Sequence, residues 1–313
     1  MPVDPQMQII LDLRTALPPM HTLSIADART QLERPRPPGL WIDRVASVAD
    51  RAIPGPGGPL GLRVYTPLGT GPFPLLVFFH GGGFVLCDLD THDPTCRNLC
   101  AGACCVVVSV DYRLAPEHRF PAAPEDCLAA TRWAAENAAE LGADPARVTV
   151  AGDSAGGTLA AVTALRIRDE GGPRLAGQLL IYPSTDLEMT LRPSLVENGE
   201  GYWLTAKDIA WFRSHYLKDA SEALHPHASP IHAPDLRRLP QALVVTAEYD
   251  PLRDEGERYG ARLREAGVAT VISRYDGMIH GFFTLPGLVD KSDLVLEEAC
   301  AWLRSVFAEA VGW

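Results

Sequence analysis

From about Val45 onward, short apolar runs alternate with longer stretches in which apolar residues recur every three or four positions. Strands are predicted at 45–53, 60–65, 75–79, 105–110, 148–151, 177–182, 242–247 and 270–275. Several are almost unbroken apolar runs, the pattern of strands covered on both faces. Helices are predicted at 124–141, 154–169, 252–266 and 290–309. Such alternation predicts an α/β chain with a parallel sheet and right-handed crossovers.

Two regions depart from it. At the start, Met7, Ile10, Leu11 and Leu17 suggest one helical face, and Ile25, Ala28 and Leu32 another. The Pro-rich run 34–38 then breaks helix and marks a linker. Between Tyr182 and Gln241 lie about 58 residues with one clear helix, 206–217, far more than a crossover needs. This stretch reads as an insertion over the sheet, forming a lid with the N-terminal helices.

The chain has 313 residues, 47% hydrophobic and 21% charged, enough to bury a sizeable core. Lys and Arg total 28 against 39 Asp and Glu, a net charge of −11. That balance argues against a nucleic acid or an anionic membrane surface as partner. No apolar run is long enough to span a bilayer, and the first residues lack the pattern of a secretory signal. A soluble cytoplasmic protein is the expectation. Seven cysteines without a signal do not read as a disulfide framework. Cys96, Cys100 and Cys104 recur every four residues but fit no zinc or iron–sulfur spacing, and Cys104–Cys105 reads as the start of a buried strand.

Gly152-Asp-Ser154-Ala-Gly156-Gly157 follows one predicted strand directly and opens a helix, the strand–turn–helix context that a G-x-S-x-G nucleophile requires. Small neighbours permit a sharp turn, and the helix N-terminus favours developing negative charge. The same residues would also serve as a plain turn with a serine N-cap. A second motif weighs against that plainer account. His80-Gly81-Gly82-Gly83-Phe84 follows the strand 75–79, and its glycines expose backbone N–H groups to an approaching oxygen, as an oxyanion hole requires.

A serine needs a base, and the base an orienting acid, in the chain order Ser, Asp or Glu, His. Asp250 and His280 each lie just past a predicted strand, where open α/β sheets place their ligands. Glu248 and Asp254 are alternative acids; Asp250 is preferred because it stands in the loop before Pro251 starts the helix. His80 reads as an anchor of its own loop. His225, His227 and His232 sit in a Pro-rich segment with no thiol or carboxylate pattern to complete a metal site, and solvated loop histidines are expected.

HGGGF, DYRLAPEHRFPAAPEDC, GDSAGG, YDPLRDEG and MIHGF in this order resemble the hormone-sensitive-lipase-like esterase family, over roughly residues 40–311. The resemblance implies an α/β-hydrolase fold: a mostly parallel eight-stranded sheet flanked by helices, with a helical cap. The corresponding division is 1–40 for N-terminal cap helices, 41–186 for the first part of the core, 187–225 for a cap insertion and 226–313 for the rest of the core. It implies Ser154 as nucleophile, His280 as base and acid, and Asp250 as its carboxylate. The oxyanion donors would be the amides of Gly82, Gly83 and Ala155. Hydrolysis of short- to medium-chain acyl esters without cofactor or metal is the implied activity, the partner a small-molecule ester. Members often pair through a sheet edge, so a homodimer belongs to the same picture.

Phe84, Val85, Leu86, Trp203, Trp211 and Phe212 are candidates to line the substrate pocket, the tryptophans equally well placed to glue cap to core. An apolar pocket favours simple acyl chains over charged ones. Deacetylase, amidase, lactonase and thioesterase activities use the same triad and stay open. A binding protein on this fold is the reading from another class: the plant gibberellin receptors resemble the family but lack the catalytic histidine, which is present here as His280.

Overall fold

The computed structural model describes residues 2–32 and 39–310; the Pro-rich run at 34–38 lies outside them. In chain order the elements are α1 (Pro5–Thr15), α2 (Ile25–Leu32), β1 (Ser47–Gly55), β2 (Gly58–Thr66), β3 (Phe73–Phe79), α3 (Asp93–Ala103), β4 (Val106–Asp111), α4 (Ala122–Glu136) and β5 (Ala143–Asp153). There follow α5 (Ala155–Glu170), β6 (Leu175–Ile181), α6 (Pro193–Glu197), α7 (Ala206–Tyr216), β7 (Gln241–Tyr249), α8 (Arg253–Glu265), β8 (Thr270–Ile279) and α9 (Asp290–Glu309).

The strands form one eight-stranded sheet in the order β1-β2-β4-β3-β5-β6-β7-β8. The β1–β2 and β2–β4 pairs are antiparallel, and every other neighbouring pair is parallel. The two-residue period decides which core each side chain joins. Leu75, Val77 and Phe79 of β3 enter the layer shared with Leu128 of α4, Leu159 of α5 and Leu263 of α8. Leu76 and Phe78 enter the opposite layer with Leu99 of α3 and Leu303 of α9. Both faces are therefore dry, which is why the central strands are almost wholly apolar.

Two helices escaped the sequence pattern, the short α6 and the longer α3. Helix α3 buries Cys96, Leu99 and Cys100, so the four-residue cysteine spacing is helical packing. Cys104 is not the start of a strand: it caps α3 in the left-handed conformation, φ 51°, and is exposed, while β4 begins at Val106. The helix predicted at 124–141 ends at Glu136, its last residues forming a separate 3₁₀ turn at Ala138–Leu141.

Between β6 and β7 the chain makes α6, α7 and short 3₁₀ turns. Thr205 and Asp208 close a reciprocal capping box on α7. Asp208 also accepts from the backbone N–H and Nδ1 of His21, at 3.0 and 2.8 Å, which ties the N-terminal segment to α7. Arg29 of α2 donates to the carbonyls of Val85 and Ala115, at 3.0 and 3.1 Å, and pairs with Glu117. Among the described residues no helix is long and apolar enough to cross a membrane.

Candidate active site

Ser154 is the one residue between β5 and α5, with φ 56° and ψ −119°. A side chain at positive φ outside glycine stores roughly 1–3 kcal/mol of strain and persists only when its surroundings fix it. Here the backbone is held at both ends: Ser154 N–H donates to the Ile181 carbonyl at 2.8 Å, and the Ser154 carbonyl accepts from Thr158 and Ser184. The turn is also tight enough to require glycine at Gly156, where a Cβ would collide with the Phe79 carbonyl.

The other two groups arrive from neighbouring strand ends. Asp250 follows β7 and is fully buried, with Oδ1 accepting from Leu252 N–H at 2.8 Å. Its Oδ2 lies 2.7 Å from His280 Nδ1, beyond β8. A carboxylate can only accept, so Nδ1 carries the proton and Nε2 is left to accept from Ser154 Oγ, 3.0 Å away. Tyr182 packs against the imidazole, ring centroids 4.6 Å apart, and fixes its plane. The alternative acids are engaged elsewhere: Glu248 accepts from Gly277 N–H at 2.7 Å, and Asp254 from Ser194 N–H at 2.8 Å.

The glycine loop after β3 is pinned from beneath. Asp153 accepts from Gly81 N–H at 2.9 Å and faces His92 Nε2 at 3.2 Å. Burial works against its charge, but the His92 charge and hydrogen bond outweigh it and hold Asp153 below the usual carboxylate range. His80 is buried, stacked on Tyr112 with centroids 4.3 Å apart, and Tyr112 donates to the His80 carbonyl at 2.8 Å. Burial, assisted by the neighbouring His92, pushes His80 down to about 4, so it is a neutral wedge at neutral pH. Above these anchors Gly82 and Gly83 run at φ 103° and 61°. Among the described residues nothing accepts a hydrogen bond from either amide.

Ser154, His280, Gly82, Gly83 and Ala155 all border one cavity of about 430 Å³. Of the six proposed pocket residues, Phe84, Leu86, Trp203 and Phe212 reach its wall. Val85 does not: it turns into the sheet-side core, fully buried, with its N–H bonded back to Gly82. Trp211 does not either; it packs on Phe212 and His215, at 5.2 and 4.5 Å between centroids. The N-terminal segment supplies wall residues the sequence did not single out, among them Arg14, Leu17 and Met20. Of these only Leu17 carried a signal, its place on an amphipathic face, which could not say what it covers.

The loop histidines separate. His225 and His227 lie edge to face, 4.8 Å apart. His232, contrary to expectation, meets carboxylates: Nε2 is 3.3 Å from Asp186 and 3.8 Å from Glu188. These three side chains are close enough to share a cation. Arg192, 2.5 Å from Asp186, already supplies a positive charge there.

The alpha/beta hydrolase fold family matches residues 76–284. Esterase LipI of Mycobacterium tuberculosis is 48% identical over 266 residues, 83% of this chain and 82% of that protein. Ethyl acetate hydrolase of Pseudomonas putida is 37% identical over 88% of each chain. Among solved structures, a hyperthermophilic esterase from the archaeon Pyrobaculum calidifontis superposes with a TM-score of 0.89 at 42% identity, covering 97% of this chain and 99% of that one. With that span of similarity, and eight strands that agree with the expected sheet, the chain belongs to the alpha/beta hydrolase fold family, in its hormone-sensitive-lipase-like branch.

Proposed function

We propose that this protein is a serine carboxylesterase that hydrolyses short- to medium-chain acyl esters through an acyl-enzyme. The observation that carries the reading is the continuous relay from Asp250 through His280 to Ser154, at 2.7 and 3.0 Å, opening into a cavity beside unpaired glycine amides. Ser154 Oγ attacks the ester carbonyl while His280 Nε2 takes its proton; Asp250 holds the tautomer and stabilises the imidazolium. Negative charge on the carbonyl oxygen is received by the amides of Gly82, Gly83 and Ala155, each such donor worth about 3 kcal/mol of barrier. His280 then protonates the leaving alcohol, and the same imidazole activates the water that releases the acid.

In this reading residues 1–40 and 187–225 form a cap over a core of 41–186 and 226–313. The His21–Asp208 contact and the wall residues from both segments support it. A cytoplasmic protein working without cofactor, and a homodimer through a sheet edge, belong to the same reading.

The test is hydrolysis of p-nitrophenyl esters of increasing chain length by wild type and Ser154→Ala. Activity at short and medium chains that vanishes in the variant is expected. A folded wild-type protein inactive at every length, or a variant that keeps its rate, overturns the proposal.

A further inference from the structure

Four charged side chains outside the triad reach the cavity around Ser154: Asp153, Asp208, Arg14 and Arg213. Both acids are satisfied. Asp153 serves Gly81 and His92, and Asp208 serves His21 and Thr205. Both arginines are not. Among the described residues, no carboxylate pairs with Arg14 or Arg213, and neither guanidinium donates a hydrogen bond. Sheltered arginines elsewhere are engaged: Arg63, Arg113, Arg192 and Arg253 each hold a carboxylate within 3 Å, and Arg119 and Arg262 donate to backbone carbonyls. A guanidinium kept from bulk water and left without an anion is an unusual expense inside an apolar wall.

Arg14 is half-buried, and its one neighbour of note is an aromatic face. Its guanidinium carbon lies 4.1 Å from the Trp203 ring centroid, a cation–π contact that orients the planar fork and leaves its N–H edges free. Trp203 itself is held at φ 77°, a conformation a bulky residue adopts only when its surroundings impose it and one that gathers at ligand clamps. Burial lowers Arg14 to about 10, which leaves it charged at neutral pH. Arg14 and Trp203 line the same cavity as Ser154 and His280, so the guanidinium shares one chamber with the reacting groups.

We propose that Arg14, braced by Trp203 and joined on the same cavity by Arg213, forms a subsite for a carboxylate, and that the preferred substrates are esters carrying one. This deepens the ester-hydrolase reading and rests on it. The fork matches a carboxylate bidentately, and the ester carbonyl is thereby positioned over Ser154 at a fixed distance from the anion. The carboxylate can belong to the acyl chain or to the alcohol, and the two arms of the test tell these apart.

The acyl arm compares kcat/KM for mono-p-nitrophenyl glutarate with p-nitrophenyl butyrate. The alcohol arm compares 4-butyryloxybenzoate with its methyl ester. Rates are corrected for spontaneous hydrolysis. Wild type should favour the anionic member of one pair by about tenfold or more, as a charge-assisted bidentate contact allows. Arg14→Met should erase that ratio, and Arg14→Lys should keep part of it. A role confined to bracing the cap would lower both members of a pair alike and leave the ratio in place. Wild-type ratios at or below unity in both arms, or a ratio unmoved by Arg14→Met, overturn the inference while leaving the esterase standing. Failure to hydrolyse even the neutral esters in a Ser154-dependent way fells the ester-hydrolase reading instead, and the inference with it.

Discussion

Ser154 and His280 are separated by 126 positions, yet Oγ and Nε2 stand 3.0 Å apart. They meet because β5 and β8 run parallel and end at the same edge of the sheet, each releasing its residue into the following loop. The third member is the least substitutable by chemistry of similar shape. Asp250→Asn retains the volume but offers an amide where only an acceptor suits Nδ1–H, which favours the wrong tautomer. A fall in kcat of about 10³–10⁴-fold with an unchanged far-ultraviolet spectrum is expected, measured on p-nitrophenyl butyrate. A loss under tenfold would remove Asp250 from its role.

The glycine loop gives a second test, through Phe212. At Gly83 a Cβ would run into the Phe212 ring, and its φ of 61° adds strain. Gly83→Ala should lower kcat/KM by about 10²-fold, the scale of one misplaced oxyanion donor. In a Phe212→Ala background the same change should lower it less, because the collision is gone and only the strain remains. Equal losses in both backgrounds would show that the ring is irrelevant to the loop.

Thiol chemistry separates packing from reactivity. Cys104 alone is exposed, whereas Cys96, Cys100, Cys105, Cys127 and Cys300 are buried, and burial pushes each of those thiols upward. Half-buried Cys87 is pushed up to about 12 by burial and then by Asp153. Titration with dithionitrobenzoate should therefore label one thiol of the seven quickly in the native protein and all seven in guanidinium. A second fast thiol that maps to Cys96 or Cys100 would contradict the packing of α3.

What the sequence made legible follows from how local each feature is. The sheet and the Ser154, Asp250 and His280 positions were readable because apolar runs, glycine turns and strand-end loops are encoded within a few residues. Helix α3 was not, since Cys96 and Cys100 stand where Leu or Ile would have announced an apolar stripe. The cavity wall was read only in part. Val85 and Phe84 are adjacent and both buried in the same core, and only the loop geometry brings Phe84 to the cavity wall as well. Arg14 was invisible for a stronger reason: an arginine on an amphipathic helix reads as solvated until its neighbours, here Trp203 from 189 positions away, are known. The expectation of a pocket suited to uncharged chains was drawn from the apolar wall alone, and the paired anionic and neutral esters decide between it and the carboxylate subsite.

Glu255, in the first turn of α8, links stability to pH in an unusual direction. Its carboxyl is buried and accepts from Thr185 N–H at 2.8 Å and Asp186 N–H at 3.2 Å, with Asp186 and Arg192 as charged neighbours and the His232 imidazole beyond them. Burial and then the Asp186 charge raise it from 4.5 to about 8. The native state thus holds a proton that the unfolded chain has released between those values. Its contribution is complete below pH 4.5 and is lost as pH rises through about 8. Asp186 is shifted the other way: burial raises it, but the Arg192 hydrogen bond and charge prevail, so its own window lies below its ordinary 3.8 and does not overlap. Glu255→Gln preserves the acceptor for both amides and cannot titrate. Between pH 5 and pH 8 the wild-type melting temperature should fall relative to that of the variant, by several degrees in differential scanning calorimetry. Two curves that stay parallel across this range would mean that Glu255 is already ionised in the native protein, balanced by Arg192.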